Sequence, residues 1–210
     1  EHILALYKKY RAEGRVPKLI VMSATINAQE LANYLSIPGP DGETKKPPVF
    51  NIPGRQFEIT DLECGESRMA DILGAIRANV GHIMDFYPGV GEIEQVVQEL
   101  KSHQHNATVI PLHGKLSAAE QNRVHEPIPG IHYIPTTNVA ETSLTIKGVR
   151  VVINGGDERV LTVFRDEEFL QLTVNSFGTY LQRRGRCGRD GAGFHIYWGP
   201  EPHTLPDGHW

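Results

Sequence analysis

Cysteine is scarce in this sequence, and several features that would mark a special class of protein are missing. The two cysteines, Cys64 and Cys187, lie far apart and lack metal-ligand spacing. Neither a disulfide framework nor a cysteine-based zinc site is therefore indicated. No run of about 18 apolar residues is present, and the N-terminus lacks a basic, apolar signal pattern. We expect a soluble protein of an intracellular compartment, cytoplasmic or nuclear, with no membrane partner.

Excess positive charge is also missing, since the formal net charge is -4. A wholly basic nucleic-acid coat is thereby excluded, and any contact with nucleic acid must be local. The ten histidines show no ligand spacing, so we predict no protein metal site. The chain has no Gly-x-Gly-x-x-Gly turn either, which argues against a dinucleotide-binding dehydrogenase. With 40% hydrophobic residues, it can still bury a sizeable core.

The order of apolar and turn-forming residues predicts strands that alternate with helices. Residues 18–22 form an apolar run suited to a buried strand, and Asn27 and Glu30 have capping-box spacing at the start of a helix. Residues 36–55 are rich in Pro and Gly without a hydrophobic period, which is typical of a linker. Beyond them, strand-like runs alternate with helical patterns. This order predicts an α/β fold with a mainly parallel sheet and helices on both faces.

The segment from Gln182 to Arg189 is the most informative, and it reads Gln-Arg-Arg-Gly-Arg-Cys-Gly-Arg. On a helix, Gln182, Arg186 and Arg189 stand at i, i+4 and i+7 and share one face, while Arg183 and Arg184 point elsewhere. Two guanidiniums and an amide that converge can stabilise a transferring phosphoryl group and orient an attacking water. The alternative is a solvated basic helix end, which requires no such spacing.

This segment resembles motif six of superfamily-two helicases, and other stretches agree with it. Residues 136–146 read Thr-Thr-Asn-Val-Ala-Glu-Thr-Ser-Leu-Thr-Ile, which is similar to motif five of the DEAH-box RNA helicases. Ser23-Ala24-Thr25 resembles motif three, and residues 52–55, 88–93 and 112–116 also resemble that family. The resemblance implies a RecA-like fold of the P-loop NTPase helicases. It divides the chain into the C-terminal tail of a first RecA-like domain (1–49), an interdomain linker (50–62) and a second RecA-like domain (63–210).

The resemblance assigns nucleotide-side roles residue by residue. Arg186 and Arg189 would be arginine fingers that reach the γ-phosphate of ATP bound mainly on the first motor domain, with Gln182 near the attacking water. Thr145 matches the motif-five position that senses nucleotide, and Asp157 occupies the position where the family has a residue facing the adenine. ATP and Mg²⁺ are therefore the implied cofactors.

The resemblance also assigns contacts with single-stranded RNA. Thr137 and Asn138 would touch the sugar-phosphate backbone, a contact that carries affinity but no sequence information. His113 and Gly114 are further RNA-side candidates, although His113 fits equally well as a satisfied histidine in a loop. The implied partners are single-stranded RNA, ATP, the remainder of the first RecA-like domain and an adaptor protein.

Motif three and Glu141 have roles of a different kind. Ser23, Ala24 and Thr25 would couple the nucleotide state to the relative placement of the two motor domains. The plainer alternative is that Ser23 and Thr25 cap a strand-to-helix turn. Nothing orients Glu141 toward a substrate proton, so we assign it a structural or RNA-side role instead of that of a general base.

Three positions depart from the family pattern. Lys147 stands where the family usually has an acidic residue. Asp157 replaces a bulky apolar or aromatic residue, which removes a stacking contact with the adenine. Arg184 stands where many relatives have a small residue, a choice similar to that of viral helicases of the same superfamily.

A phosphate loop of the form Gly-x-x-x-x-Gly-Lys-[Ser/Thr] is absent, as is the sequence Asp-Glu-Ala-His. Because these groups cradle phosphates and hold magnesium, we expect the chain alone not to hydrolyse ATP. The expected function is that of a motor-domain fragment of an ATP-dependent RNA helicase. One alternative is a nonenzymatic nucleic-acid-binding or regulatory module. Another is a viral-type superfamily-two helicase or a DNA helicase.

Overall fold

The computed structural model describes residues 2–11, 13–22, 27–38, 43–52, 54, 57–142, 144–165 and 167–206. The motif-three residues Ser23, Ala24 and Thr25 lie outside these ranges. The chain divides into two compact units, Glu1–Gly54 and Arg55–Gly208, and each is described by itself. No helix in the described ranges has the length and apolar character that a bilayer crossing needs.

The smaller unit contains helices α1 (His2–Arg11) and α2 (Ala28–Tyr34) and a short antiparallel pair, β1 (Ile37–Pro38) and β2 (Thr44–Lys45). As predicted, the Asn27 side chain caps α2 by accepting a hydrogen bond from the Glu30 amide at 3.2 Å. The strand predicted over residues 18–22 is wrong, because this run is irregular and Ile20 and Met22 are 81% and 88% exposed. A strand requires a neighbouring strand to satisfy its backbone, and the described part of this unit pairs only β1 with β2.

A six-stranded parallel sheet forms the centre of the larger unit. Its strands are β3 (Ile59–Leu62), β4 (His82–Phe86), β5 (Thr108–Val109), β6 (His132–Thr136), β7 (Val149–Asn154) and, after the hairpin of β8 (Asp157–Phe164) and β9 (Glu167–Val174), β10 (Gly193–Tyr197). The order across the sheet is β3-β10-β7-β4-β6-β5. The parallel sheet that the sequence predicts is confirmed.

Helices cover both faces of this sheet, as predicted. They are α3 (Arg68–Ala78), α4 (Val90–Leu100), α5 (Ala118–Asn122), α6 (Val139–Thr142) and α7 (Phe177–Arg184). Alternate residues of a strand point to opposite faces, so Val151 packs with the α3 and α4 side chains, whereas Val152 packs with Ala140 of α6 on the other face. The Ser67 side chain caps α3, and Ser117 forms a capping box with Glu120 at α5.

Two elements of the larger unit are missing from the sequence-based description. Strand β3 lies within the stretch assigned to the linker, yet it pairs in register with β10 along Ile59–Leu62. The β8–β9 hairpin extends from the sheet as a separate antiparallel ribbon. Much of its apolar surface is exposed, including Leu161 at 57% and Leu170 at 63%.

Candidate functional site

Helix α7 ends earlier than the spacing of its arginines predicts. Ser176 opens the helix by accepting a hydrogen bond from the Thr179 amide, and the helix ends at Arg184 with Gly185 as its C-cap. The prediction that Gln182, Arg186 and Arg189 share one helix face is therefore wrong, since only Gln182 lies on the helix. Glycine is a poor helix former, and Gly185 and Gly188 turn the chain out of the helical path. We call residues 185–189 the motif-six turn.

The two arginines of this turn nevertheless reach the same short segment of motif five. Arg186 donates through Nη1 to the Leu144 carbonyl oxygen at 2.7 Å, and Arg189 donates through Nη1 to the Thr145 hydroxyl at 3.1 Å. Arg186 is only 5% exposed, whereas Arg189 and Thr145 face solvent. Predicted nucleotide-side residues that lie 44 positions apart in the chain, Thr145 and Arg189, are thus in direct contact.

Arg186 is electrostatically poised to accept an anion. Burial and, after it, the neighbouring Arg189 guanidinium lower the pKa of Arg186 to about 10. Its Nε is buried and has no hydrogen-bond partner among the described residues. Such a guanidinium remains charged at neutral pH, is desolvated and retains a free donor. It therefore binds an anionic oxygen with a more favourable free energy than a guanidinium exposed to water does.

Arg183 belongs to the interior and not to the surface. It is fully buried, and its Nε donates to Glu141 at 2.7 Å while Nη1 donates to the Asn154 side chain at 3.1 Å and to the Asp157 carbonyl at 3.0 Å. Burial raises the pKa of Glu141 and the Arg183 ion pair opposes that rise. Of the two roles expected for Glu141, the contacts correspond to the structural one, because this carboxylate links α6 to α7.

The RNA-side candidates lie at the opposite end of the sheet from the motif-six turn. Asn138 is exposed just beyond the carboxyl end of β6, and the Thr137 amide donates to the Leu112 carbonyl at 3.2 Å, which places His113 and Gly114 beside it. Thr145 instead precedes the amino end of β7. A strand of six residues spans roughly 20 Å. The RNA-side candidates therefore lie at the carboxyl ends of the strands, and Thr145 and the motif-six turn lie at the amino ends. Asp157 follows the carboxyl end of β7 and opens β8.

Arg184 has a partner that no local sequence signal indicates. It donates to both carboxylate oxygens of Asp61, at 2.8 and 2.6 Å, although the two residues are 123 positions apart. Asp61 also accepts from the buried His195 ring at 2.9 Å. Only the pairing of β3 with β10 brings these side chains together, so a pattern search within the sequence misses them.

Within the described ranges, no group of three or more His, Cys, Asp or Glu side chains is arranged to hold a metal ion.

The sequence pattern of the helicase conserved C-terminal domain family matches residues 67–191. The chain belongs to this family. The matched residues run from α3 to the motif-six turn, so the contacts of Arg183, Arg186 and Arg189 lie within a helicase C-terminal domain, whereas Asp61 and His195 lie outside the matched residues. The RecA-like fold and the predicted family resemblance are confirmed.

Individual relatives agree with this placement. The chain is 32% identical over 208 residues to "Probable ATP-dependent RNA helicase DHX34" of Homo sapiens, with 86% of this chain and 17% of that protein covered. It is 38% identical over 279 residues to "Putative DEAH-box ATP-dependent helicase UM11114" of Mycosarcoma maydis, with 93% and 17% covered. The crystal structure of the E. coli DExH-box NTPase HrpB matches with a TM-score of 0.78 and 28% identity over 99% of this chain and 27% of that one. This helicase domain therefore spans about a sixth of the length of the two sequence relatives.

Proposed function

We propose that this chain is the second motor domain of an ATP-dependent RNA helicase, preceded by the tail of the first motor domain (1–49) and the linker (50–62). The human relative, named a probable ATP-dependent RNA helicase, and the Mycosarcoma maydis relative, named a putative DEAH-box ATP-dependent helicase, support this assignment. On this proposal, the complete protein hydrolyses ATP and moves single-stranded RNA, and this chain alone does not turn over ATP. RNA, ATP with Mg²⁺, the rest of the first motor domain and an adaptor are its partners.

The observation that carries the proposal is that Arg186 and Arg189 converge on one segment of motif five while neither makes an ion pair with a carboxylate of the described residues. Arg68, Arg159, Arg183 and Arg184 each pair with a carboxylate in this unit, as the ion pairs of the larger unit show. Arg186 and Arg189 instead bond the neutral oxygens of Leu144 and Thr145. Their positive charge remains available for an anion that enters from the amino end of the sheet.

The residues at the amino ends of the strands fit a transferring phosphoryl group. ATP supplies the γ-phosphoryl group, and its Mg²⁺ would be held by the motifs of the first motor domain. Arg186 and Arg189 act as fingers that stabilise the charge that develops during transfer, and Gln182 orients the attacking water. Thr145 senses the nucleotide through its hydroxyl contact with Arg189. Ser23, Ala24 and Thr25 couple the nucleotide state to domain placement. Asp157, which lies beyond the carboxyl end of β7 and not at its amino end, takes the adenine-facing position without a stacking ring.

The residues at the carboxyl ends of the strands supply the RNA contacts. Thr137 and Asn138 bind the sugar-phosphate backbone, with His113 and Gly114 beside them. Such contacts fix the register of the strand without reading its bases. Because the two groups of residues lie at opposite ends of the strands, hydrolysis and RNA affinity should respond to different substitutions.

An ATPase measurement on the complete protein tests this division. Arg189→Ala should lower the turnover rate roughly 10³-fold or more, because a finger acts on charge in the transition state. RNA affinity should change little in that variant but fall in Thr137→Ala and Asn138→Ala. The matched control is Arg77→Ala, which removes an exposed arginine from the last turn of α3. Arg183→Ala is unsuitable as a control because that side chain is buried in the core.

If Arg189→Ala retains turnover within about twofold, a change of roughly 0.4 kcal/mol in the barrier, the finger assignment fails. A nonenzymatic nucleic-acid-binding module is then the better description, provided that Asn138→Ala still weakens RNA binding.

A further inference from the structure

The motif-six turn packs directly against the segment that opens the larger unit. The Phe57 amide donates to the Gly188 carbonyl oxygen at 3.0 Å, and the Gly193 amide donates to the Glu58 carbonyl at 2.9 Å. A Cβ atom on Gly188 would lie 2.7 Å from Ile59 Cγ1, closer than non-bonded carbons approach. Glycine at position 188 therefore lets the turn lie flat on the start of β3.

Arg184 joins the end of α7 to β3 immediately before the turn begins. Its Nε donates to Asp61 Oδ1 at 2.8 Å, and its Nη2 donates to Asp61 Oδ2 at 2.6 Å and to the Ile59 carbonyl at 3.1 Å. A fork of two parallel hydrogen bonds fixes the orientation of a guanidinium as well as its position. The Arg184 hydrogen bond also lowers the pKa of the Asp61 carboxyl, against an opposing effect of burial.

Asp61 is in turn held from the interior of the sheet. His195 Nδ1 lies 2.9 Å from Asp61 Oδ1, and because an ionised carboxylate can only accept, the ring nitrogen donates. His195 is 1% exposed, and its ring packs edge-on against Tyr180 of α7 at a centroid distance of 5.4 Å. The half-exposed Asp61 carboxylate is thus tied to a buried, immobile ring.

Asp61 is bonded both by Arg184 and by His195, and Arg184 directly precedes Gly185, the first residue of the motif-six turn. We propose that Asp61, held by His195, positions through Arg184 the turn that carries Arg186 and Arg189. Asp61 and Arg184 are positioning residues for hydrolysis, so the inference rests on the proposed function.

Magnitudes separate this role from a purely structural one. The Asp61 side chain is 52% exposed and that of Arg184 is 27% exposed, and ion pairs of that exposure contribute little to folding. A displacement of a catalytic group by about 1 Å, by contrast, can lower a rate by roughly 100-fold. Loss of the interaction between Asp61 and Arg184 should therefore lower the ATP turnover rate far more than it lowers the free energy of unfolding.

The test uses the complete protein with the variants Asp61→Asn, Arg184→Gln and Arg184→Lys. We expect Asp61→Asn and Arg184→Gln to lower kcat by roughly 10- to 100-fold, while the KM for ATP, the affinity for single-stranded RNA and the thermal midpoint stay near those of the parent. Arg184→Lys keeps the charge without the fork, so it should recover part of the lost turnover.

Glu92→Gln is the matched control. It breaks another fork, from Arg159 to Glu92 at 3.0 and 2.7 Å, with both side chains 33% exposed, and this fork joins α4 to β8 away from the turn. Its kcat should remain within about twofold of the parent, a change worth roughly 0.4 kcal/mol.

The outcomes distinguish the inference from the proposed function. If Asp61→Asn and Arg184→Gln retain the parent kcat while Arg189→Ala abolishes it, the interaction between Asp61 and Arg184 is not a positioning device and the proposed function stands. If Glu92→Gln loses as much turnover as Asp61→Asn, general loosening explains the effect and the inference is overturned. If Asp61→Asn does not fold, equal turnover of Arg184→Lys and Arg184→Gln overturns it. If Arg189→Ala keeps its turnover, the proposed function itself fails.

Discussion

The role of an arginine in this domain depends on its partner more than on its position in a motif. Arg183 and Arg186 stand three residues apart in the same motif, and both are buried. Arg183 is neutralised by Glu141 at 2.7 Å, so it stabilises the junction of α6 and α7. Arg186 bonds a backbone carbonyl and makes no ion pair with a carboxylate of the described residues, although the nearby Glu141 opposes the lowering of its pKa. Burying a charge without such an ion pair is costly, and such a cost is typical of a site that binds an anion.

A pair of stacked histidines makes the larger unit sensitive to acid. The rings of His82 and His132 lie 4.1 Å apart and nearly parallel, and His82 Nδ1 accepts from the His132 amide at 3.1 Å. Burial, followed by the nearby His132, lowers the pKa of His82 below its ordinary value. In acid the unfolded state therefore binds the proton more readily, so stability is complete above about pH 6.5 and falls as the pH drops below it.

Denaturant unfolding of the chain between pH 7.5 and pH 5 measures this effect. His82→Asn keeps an acceptor near Nδ1 but cannot titrate, so its free energy of unfolding should depend less steeply on pH, by at most about 1.4 kcal/mol per pH unit. A residual slope is expected, because burial also lowers the pKa of His195. Identical slopes in the parent and in His82→Asn would contradict the prediction.

At the scale of elements, the β8–β9 hairpin leaves an apolar face uncovered within the described chain. Leu161 pairs directly with Leu170, and Val163 and Leu172 lie on the same face at 62% and 53% exposure. Exposed apolar ribbons associate in water, so the isolated chain should self-associate as its concentration rises. Leu161→Lys combined with Leu170→Glu keeps a cross-strand pair and should shift the chain toward the monomer in analytical ultracentrifugation.

The same two strands provide the control for this prediction. Val160 pairs with Gln171 on the opposite face, so Val160→Lys with Gln171→Glu changes the charge of the hairpin equally without interrupting the apolar face. Self-association that responds to both double variants alike would point to the added charged side chains in general and not to this face.

Elements whose sequence signal lies within a few neighbouring residues could be predicted from the sequence. Elements that depend on pairing with distant residues could not. Ser67 and Ser117 mark helix starts through cap chemistry confined to four residues, and both helices are present. Strand β3 has a burial pattern with no buried residue, so its apolar period is too weak to separate it from the linker. Helix α7 ends before Gly185, and the turn that follows packs Gly188 against Ile59, a contact across 129 positions that no periodicity shows. The candidate arginines were found from motif order, but their convergence on Leu144 and Thr145 required the fold.

At the scale of the whole chain, the Pro-rich stretch 36–55 leads to the boundary between the two units. None of the described residues from 43 to 58 is buried, and five prolines fall within residues 38–53. Proteases cut where the backbone can leave its surroundings at little cost in free energy. The Pro-rich stretch 36–55 is therefore the expected site of first cleavage, and the larger unit should survive as a stable core.

Limited trypsin digestion followed by intact-mass measurement tests this expectation. Within the Pro-rich stretch 36–55, the bond after Lys46 precedes Pro47 and should resist trypsin. The first large product should therefore begin at Lys46, after cleavage at Lys45, or at Gln56, after cleavage at Arg55. The competing site is Arg165 in the turn of the hairpin, whose strands are held by a ladder of eight residue pairs. Lys45→Gln should slow the first cut without changing the thermal midpoint. A first cut within residues 83–189 would mean that the unit boundary near residue 54 does not govern the flexibility of the chain.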